Sequence, residues 1–368
     1  MKRKKWLCAL LGVSLFGMVA VADAKPNANV SQEDPPMLEL VATSDYQWKG
    51  VAASPAGRIF VSFPTWERHP SYHVGELVKG AVVPFDALET QATLINVESV
   101  VADATNTLWV LDSARLPGKD VDPSGAKLFM FDLSSNTLAR TYVLPSDVVL
   151  SDSRMNDVRV DTARGFAFIT DSGHGGIIVL DLNSGDAWRA LTDISEVRAV
   201  LQGIYFQHTG FFNKLGNSDG LELSADKKNL FFSATGSDIL YAVPTDVLIA
   251  PGLTVADRKK AIRVVNVKNR PTDGMVLRRA KLYMGNLSDE GVWQFDLEEA
   301  NTADAGATMN LGVDIRWASS FALAPDGSIY FTTSAINYPV DRQAPYELFR
   351  LVWDKTKDAP QTFQEMNY

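Results

Sequence analysis

The chain has 368 residues, 46% of them apolar and 21% charged, which is the composition of a globular protein with a sizeable core. Its 35 Lys and Arg stand against 44 Asp and Glu, a net charge of -9, and so acidic a balance lacks the basic footprint that nucleic-acid binding requires. With 25 Gly and 17 Pro among 368 residues, collagen-like and low-complexity structures are excluded.

Lys2, Arg3, Lys4 and Lys5 open the chain, an apolar run covers 6–21, and Ala22, Asp23 and Ala24 follow. That order of charged, apolar and small residues predicts a secretory signal peptide over 1–24, cleaved near Ala24. The run is shorter than the roughly 20 residues a membrane span needs. The single cysteine, Cys8, lies inside it, so the mature chain is expected to have no disulfide, thiolate metal site or cysteine nucleophile. Cleavage also removes four basic residues and Asp23, which shifts the net charge to about -12. A secreted or periplasmic protein follows, with no membrane attachment after cleavage. Residues 25–36 are polar and contain Pro, and are predicted to be a flexible lead-in.

From residue 37 onward one pattern recurs: a short apolar strand, a tight polar turn, a second apolar strand. It occupies 51–62, 100–112, 158–171, 221–234, 275–286 and 322–333. A third strand follows most copies, at 127–133, 176–182, 239–244, 291–297 and 346–352. The turns, such as Pro55-Ala56-Gly57 and Pro325-Asp326-Gly327, carry hairpin chemistry. Long helical periodicity is absent, and only 193–200 and 246–261 suit short helices. Units of this size, repeated six times, predict an all-β fold, a six-bladed β-propeller over 37–368. Strand 37–42 is expected to pair into the last blade and fasten the ring. A tandem of β-sandwiches is the alternative arrangement.

In a propeller the innermost strands begin at one mouth of the central channel, so the residues before them converge. Those positions are polar: Trp48-Lys49-Gly50, Glu98-Ser99, Asn156-Asp157, Ser218-Asp219-Gly220 and Thr272-Asp273-Gly274, with Trp317 to Phe321 leading into the sixth copy. Singly, such Asp and Asn residues cap turns and satisfy backbone donors. Together, Asn156, Asp157, Asp219 and Asp273 offer oxygens from three blades, a set that suits a hard cation such as calcium or a bound amine. Lys49, Trp48, His174 and Phe321 complete the candidate ligand-binding residues. His174 qualifies through its Gly-rich loop after a strand, whereas His69 and His73 read as surface positions. No His-Glu-x-x-His pair, no Gly-x-Ser-x-Gly elbow and no phosphate-binding fingerprint is present. The insertion 201–217 carries Tyr205, Phe206, His208, Phe211 and Phe212 ahead of Asp219. Aromatic rings there would either stack on a flat or cationic ligand or pack the insertion on the propeller face.

The sequence resembles the major royal jelly protein/yellow family over nearly the whole mature chain. The carriers are GRIFVSFP at 57–64, NDVRVD at 156–161, AFITD at 167–171 with GIIVLD at 176–181, and Trp188-Arg189. They continue with SDGLELS at 218–224, LYAVPT at 240–245, Asp273-Gly274-Met275 and PYELFR at 345–350. The resemblance implies a secreted six-bladed propeller whose channel mouth holds a small ligand. Members of that family are associated with biogenic-amine binding, dopachrome conversion, and nutritive or signalling roles. A more distant similarity is to gluconolactonase/senescence-marker-like propellers, which hold a divalent cation with a Glu, two Asn and an Asp. Asn156 matches one Asn, Asp219 stands at the second and Asp273 matches the Asp. The Glu is missing, and Lys49 brings positive charge where a ligand oxygen is needed.

Three functions follow as expectations. The first is a propeller that binds, and in a dopachrome-tautomerase-like version converts, a small aromatic or amine compound, with Asp219 or Asp273 as general base. The second is a metal-dependent lactonase, with Asn156, Asp219 and Asp273 on a Ca2+ ion. The third is a non-catalytic interaction module. No cofactor beyond that ion is implied, and the sequence leaves the oligomeric state open.

Overall fold

The computed structural model describes residues 35–85, 93–300 and 305–354; the signal peptide expected over 1–24 and most of the expected lead-in lie outside the described residues. The described strands form six four-stranded antiparallel sheets and one two-stranded hairpin. The sheets are arranged as the six blades of a β-propeller. Their innermost strands are Val51–Ala53, Val97–Ala102, Met155–Asp161, Ser218–Leu223, Thr272–Arg278 and Ala318–Leu323. Each touches the next around the channel, and the sixth touches the first.

Both faces of every blade must be buried, and the composition of the middle strands reflects this. Leu108 to Leu111, Ala167 to Ile169 and Ile177 to Leu180 are all buried without alternation. Six apolar layers result, one between each pair of neighbouring blades. Val100, Leu108 and Phe131 of the second blade pack with Ala52 and Phe60 of the first. Phe168 and Ile177 of the third pack with Leu221 and Phe232 of the fourth. Val51, Val61 and Trp48 of the first pack with Ala322 and Leu348 of the sixth, closing the circle.

The sixth blade is built from both ends of the chain. Met37–Ser44 runs antiparallel to Tyr346–Val352, from Met37 opposite Val352 to Ser44 opposite Tyr346. The strand expected at 37–42 therefore exists and takes the outermost place in the last blade. Short helical turns occur at Thr245–Ile249 and Val255–Lys259, with 3-10 turns at Ser195–Val197 and Val340–Arg342. The first three fall on the two stretches expected to hold helix, apart from Thr245 one residue ahead, and the turn at 340–342 was not expected.

The Asp-Gly steps at the inner strands have a packing cause. A Cβ on Gly220 would lie 2.5 Å from the carbonyl oxygen of Asp273, and one on Gly274 would lie closer still to the carbonyl of Ser319. Each glycine thus lets the next blade's inner strand approach its own, while the preceding Asp faces the channel. Gly50 meets the backbone of Ser99 and Val100 in the same way. Backbone has no room to yield in a closed ring. Gly220→Ala and Gly274→Ala are each expected to cost about 1–3 kcal/mol or more, read as a lowered denaturation midpoint in urea.

Candidate functional site

The polar starts of the inner strands meet at one mouth of the channel. Lys49 lies at its centre, with its ammonium reaching Asn156 Oδ1 in a short hydrogen bond, the Asn156 carbonyl at 3.3 Å and Glu98 Oε2 at 3.4 Å. Asn156 passes the network on through Nδ2, which donates to Ser172 Oγ at 2.7 Å and to Asp219 Oδ2 at 3.1 Å. Thr235 Oγ1 donates to the same Asp219 oxygen at 2.8 Å. Lys49, Glu98, Asn156, Asp219 and Asp273 are all buried. Burial works to strip the proton from Lys49, but the carboxylates of Glu98, Asp219, Asp273 and Asp157 outweigh it and hold its pKa above the ordinary value.

Asp273 is the acid of the group. Burial first, and the Asp219 carboxylate beside it second, push its pKa well above the usual carboxylate range. Its Oδ2 accepts the Trp317 indole N–H and the Ser319 hydroxyl, the latter at 3.2 Å. Its Oδ1 has no hydrogen-bond donor among the described residues. A proton held on Asp273 and shared toward Asp219 removes that deficit and the repulsion between two buried carboxylates.

The insertion covers this mouth. Its hairpin, Ile204–Phe206 with Gly210–Phe212, crosses to the fifth and sixth blades. Phe206 stacks on Trp317 at 5.6 Å and Phe212 meets the same ring edge-on at 5.3 Å, with Ile204 and Leu287 completing the cluster. The Trp317 ring that donates to Asp273 is therefore held from outside by the hairpin. At the tip, His208 Nδ1 bonds Glu290 Oε2, its Nε2 lies 3.6 Å from Asp314, and Asn337 Nδ2 donates to Thr209 Oγ1 at 3.2 Å. Of the insertion's aromatic rings, Phe206 and Phe212 face the protein, whereas Tyr205 and Phe211 are exposed and pair with each other at 5.0 Å.

One layer deeper, the channel is crossed by charge. Asp157 accepts from Ser99 Oγ at 2.7 Å and from Arg159 Nη1 at 3.0 and 3.1 Å. Arg159 continues through Nε to Glu222 Oε2 at 3.1 Å and through Nη2 to the Met275 carbonyl at 2.8 Å. Three blades are tied by one guanidinium.

The structure brings Lys49, Asn156, Asp219 and Asp273 together, with Asp157 directly beneath. Three other candidates stand elsewhere. Trp48 is fully buried in the layer between the first and sixth blades, because it neighbours the channel-facing Lys49 and alternation turns it outward. His174 lies in an outer turn between Asp152 and Asp193, with its Nδ1 3.0 Å and its Nε2 3.4 Å from their carboxylates. Phe321 sits in the far half of the channel, on a different cavity. His73 is buried against the Phe63 carbonyl instead of lying on the surface. Glu98 and Trp317, read from sequence only as strand-entry positions, join the network, and Arg159 and Glu222 were not singled out. The last two had a signal, since each is a charge at an alternate position in an otherwise apolar inner strand.

These features define a class: a six-bladed propeller with a buried acid, a carboxylate and a fixed ammonium under a hairpin at one channel mouth. Residues 95–328 match the major royal jelly protein family. That match spans more than half of the chain, and the chain belongs to this family. No curated protein sequence matches it. Among solved structures it is similar to a luciferin-regenerating enzyme, with TM-score 0.55, 11% identity, and coverage of 86% of this chain and 95% of that one. It is similar to the calcium-binding protein regucalcin from Agrobacterium tumefaciens, with TM-score 0.53, 16% identity, and coverage of 86% and 91%. A gluconolactonase from Xanthomonas campestris gives TM-score 0.54, 16% identity, and coverage of 88% and 96%. At these identities the likeness is one of fold.

The raised pKa of Asp273 makes stability depend on pH. The folded state holds a proton that the unfolded chain releases near pH 4, so stability falls as pH rises from there toward the raised value. Asp273→Asn is expected to flatten this slope, measured as urea midpoints between pH 4 and 8. An unchanged slope would mean that Asp273 is ionised in the native protein.

Proposed function

We propose that this protein works outside the cytoplasm as a small-molecule propeller, taking a small aromatic or amine compound at the hairpin-covered mouth and moving a proton on it in the manner of a tautomerase. The carrying observation is the buried Asp273–Asp219 pair, with the Asp273 pKa pushed well above the usual carboxylate range by burial and by its neighbour, beneath the rings of Trp317, Phe206 and Phe212. Tautomerisation takes a proton from one atom of the substrate and returns one to another. A neutral acid beside a carboxylate can do both without net change. Lys49 fixes positive charge close by, where an enolate or phenolate oxygen would be stabilised. Asp219 is the most exposed of the buried group.

Metal-dependent lactone hydrolysis is less well supported. The oxygens that would hold an ion are Asn156 Oδ1, Asp219 and Asp273, and the first of these already takes the Lys49 ammonium. Among the described residues no group of three or more His, Cys, Asp or Glu is placed to hold a metal. The donor set fits an internal cation and does not fit Ca2+ in addition.

Two experiments test this reading. Dopachrome turnover by the mature protein, followed by its loss of colour, is expected to fall about 10²-fold or more in Asp273→Asn and in Asp219→Asn. Wild-type rates in the double variant would overturn the proton-transfer assignment. Wild-type protein is expected to show no thermal shift with Ca2+, whereas Lys49→Glu, which restores an oxygen and removes the ammonium, is expected to gain one. A Ca2+ shift in the wild type that EDTA reverses would restore the lactonase reading.

A further inference from the structure

The second half of the channel, on the far side of the Arg159 layer, is open. There the inner strands enclose a cavity of about 150 Å³. Every blade contributes apolar side chains to its wall, among them Val51, Val101, Val160, Leu223, Leu277 and Phe321. Its floor is Arg159 and Glu222, each more than nine-tenths buried. Thr162, Ser224, Asp103 and Lys227 also border it. This cavity lies apart from Lys49, Asp219 and Asp273, none of which borders it.

We propose that this cavity is a second binding site, for a neutral compound of one six-membered ring carrying a hydroxyl group, with the ring against the six-blade apolar wall and the hydroxyl on Arg159 and Glu222.

Size sets the first part of the assignment. A volume of roughly 150 Å³ is that of a cavity able to hold a single benzene ring. The floor sets the second. Glu222 accepts the Leu223 N–H on Oε1 at 2.8 Å and Arg159 Nε on Oε2 at 3.1 Å, and each carboxylate oxygen can accept again. Arg159 spends one Nη2 hydrogen on the Met275 carbonyl and both Nη1 hydrogens on Asp157 and the Val158 carbonyl. A second Nη2 hydrogen has no partner among the described residues. An acceptor and a donor therefore stand side by side under an apolar wall, and a hydroxyl satisfies both. Charged heads fit less well. Both signs line the cavity, so a carboxylate would meet Glu222 and Asp103, and an ammonium would meet Arg159 and Lys227.

A purely structural plug would not need this chemistry. Val, Leu and Phe fill the rest of the layer, and a buried ion pair is generally no more stabilising than apolar residues of equal volume. Charge at the floor of an apolar cavity instead gives orientation to a ligand, as in small-molecule sites generally.

The test is calorimetric titration of the mature protein with phenol, toluene, benzylamine and benzoate. Phenol is expected to bind about tenfold more tightly than toluene, the worth of the hydroxyl's hydrogen bonds, and more tightly than either ion. Leu277→Trp, which fills the cavity from a half-exposed position, is expected to abolish phenol binding. Glu222→Gln, which keeps the shape, is expected to reduce the preference for phenol over toluene. Absence of binding by all four probes, or phenol binding that survives Leu277→Trp, would overturn the site. A preference for benzylamine or benzoate would overturn the hydroxyl assignment. The outcome is separable from that of the other mouth. Asp273→Asn should leave phenol binding intact, and Leu277→Trp should leave dopachrome turnover intact.

Discussion

The ammonium of Lys49 is the charge around which the polar half of the channel is arranged. Three strand starts from different blades bring Glu98, Asp219 and Asp273 together. Besides Lys49, among the described residues only the partly exposed Arg154 forms an ion pair with them, at 3.9 Å from Glu98, and without Lys49 mutual repulsion would oppose closure of the ring. Lys49 answers Glu98 directly and Asp219 through Asn156, which leaves Asp273 as the carboxyl disposed to stay protonated. Losing the ammonium would break the buried Lys49–Glu98 pair, a kind of change that typically costs about 3–5 kcal/mol. The same residue accounts for how this chain differs from a cation-binding propeller with oxygens in its place. An internal ammonium supplies the positive charge beside the neighbouring carboxyls.

That arrangement is only as firm as the ring that carries it. Each blade buries both faces against its neighbours, so the six layers support each other and none has a free surface inside. Closure through the antiparallel pairing of Met37–Ser44 with Tyr346–Val352 removes the seam. Gly220 and Gly274 bring the inner strands close enough for side chains of different blades to bond across the channel. Arg159 divides the channel into an acidic chamber and an apolar cavity, with the hairpin over the first. Two chemically different chambers thus sit on one axis.

Much of the fold was legible because its physics is local and repeated. Apolar strand pairs joined by turn residues recur six times, and the Asp-Gly steps mark where inner strands begin. Lys49, Asn156, Asp219 and Asp273 were legible for the same reason, since each holds the same place in its own repeat. Direction was harder to read. Trp48 and Lys49 are adjacent, and only the strand's facing decides that Lys49 enters the channel and Trp48 the layer behind it. Contacts between repeats left no local trace: nothing near Glu98 announces Lys49, and nothing near Trp317 announces Phe206, 111 residues earlier. The cavity is likewise a property of six strands at once, although Arg159 and Glu222 marked its floor as charges in apolar strands.

The central claim is that Lys49 is a permanent internal cation. It is tested most directly by NMR titration of the lysine side chains, with the Lys49 resonance assigned from its absence in Lys49→Met. The account predicts that Lys49 remains charged above pH 10.5, later than the exposed lysines, because its carboxylate neighbours outweigh its burial. Titration of Lys49 below the exposed lysines would show that burial prevails, and that the chamber has no fixed positive charge at its centre.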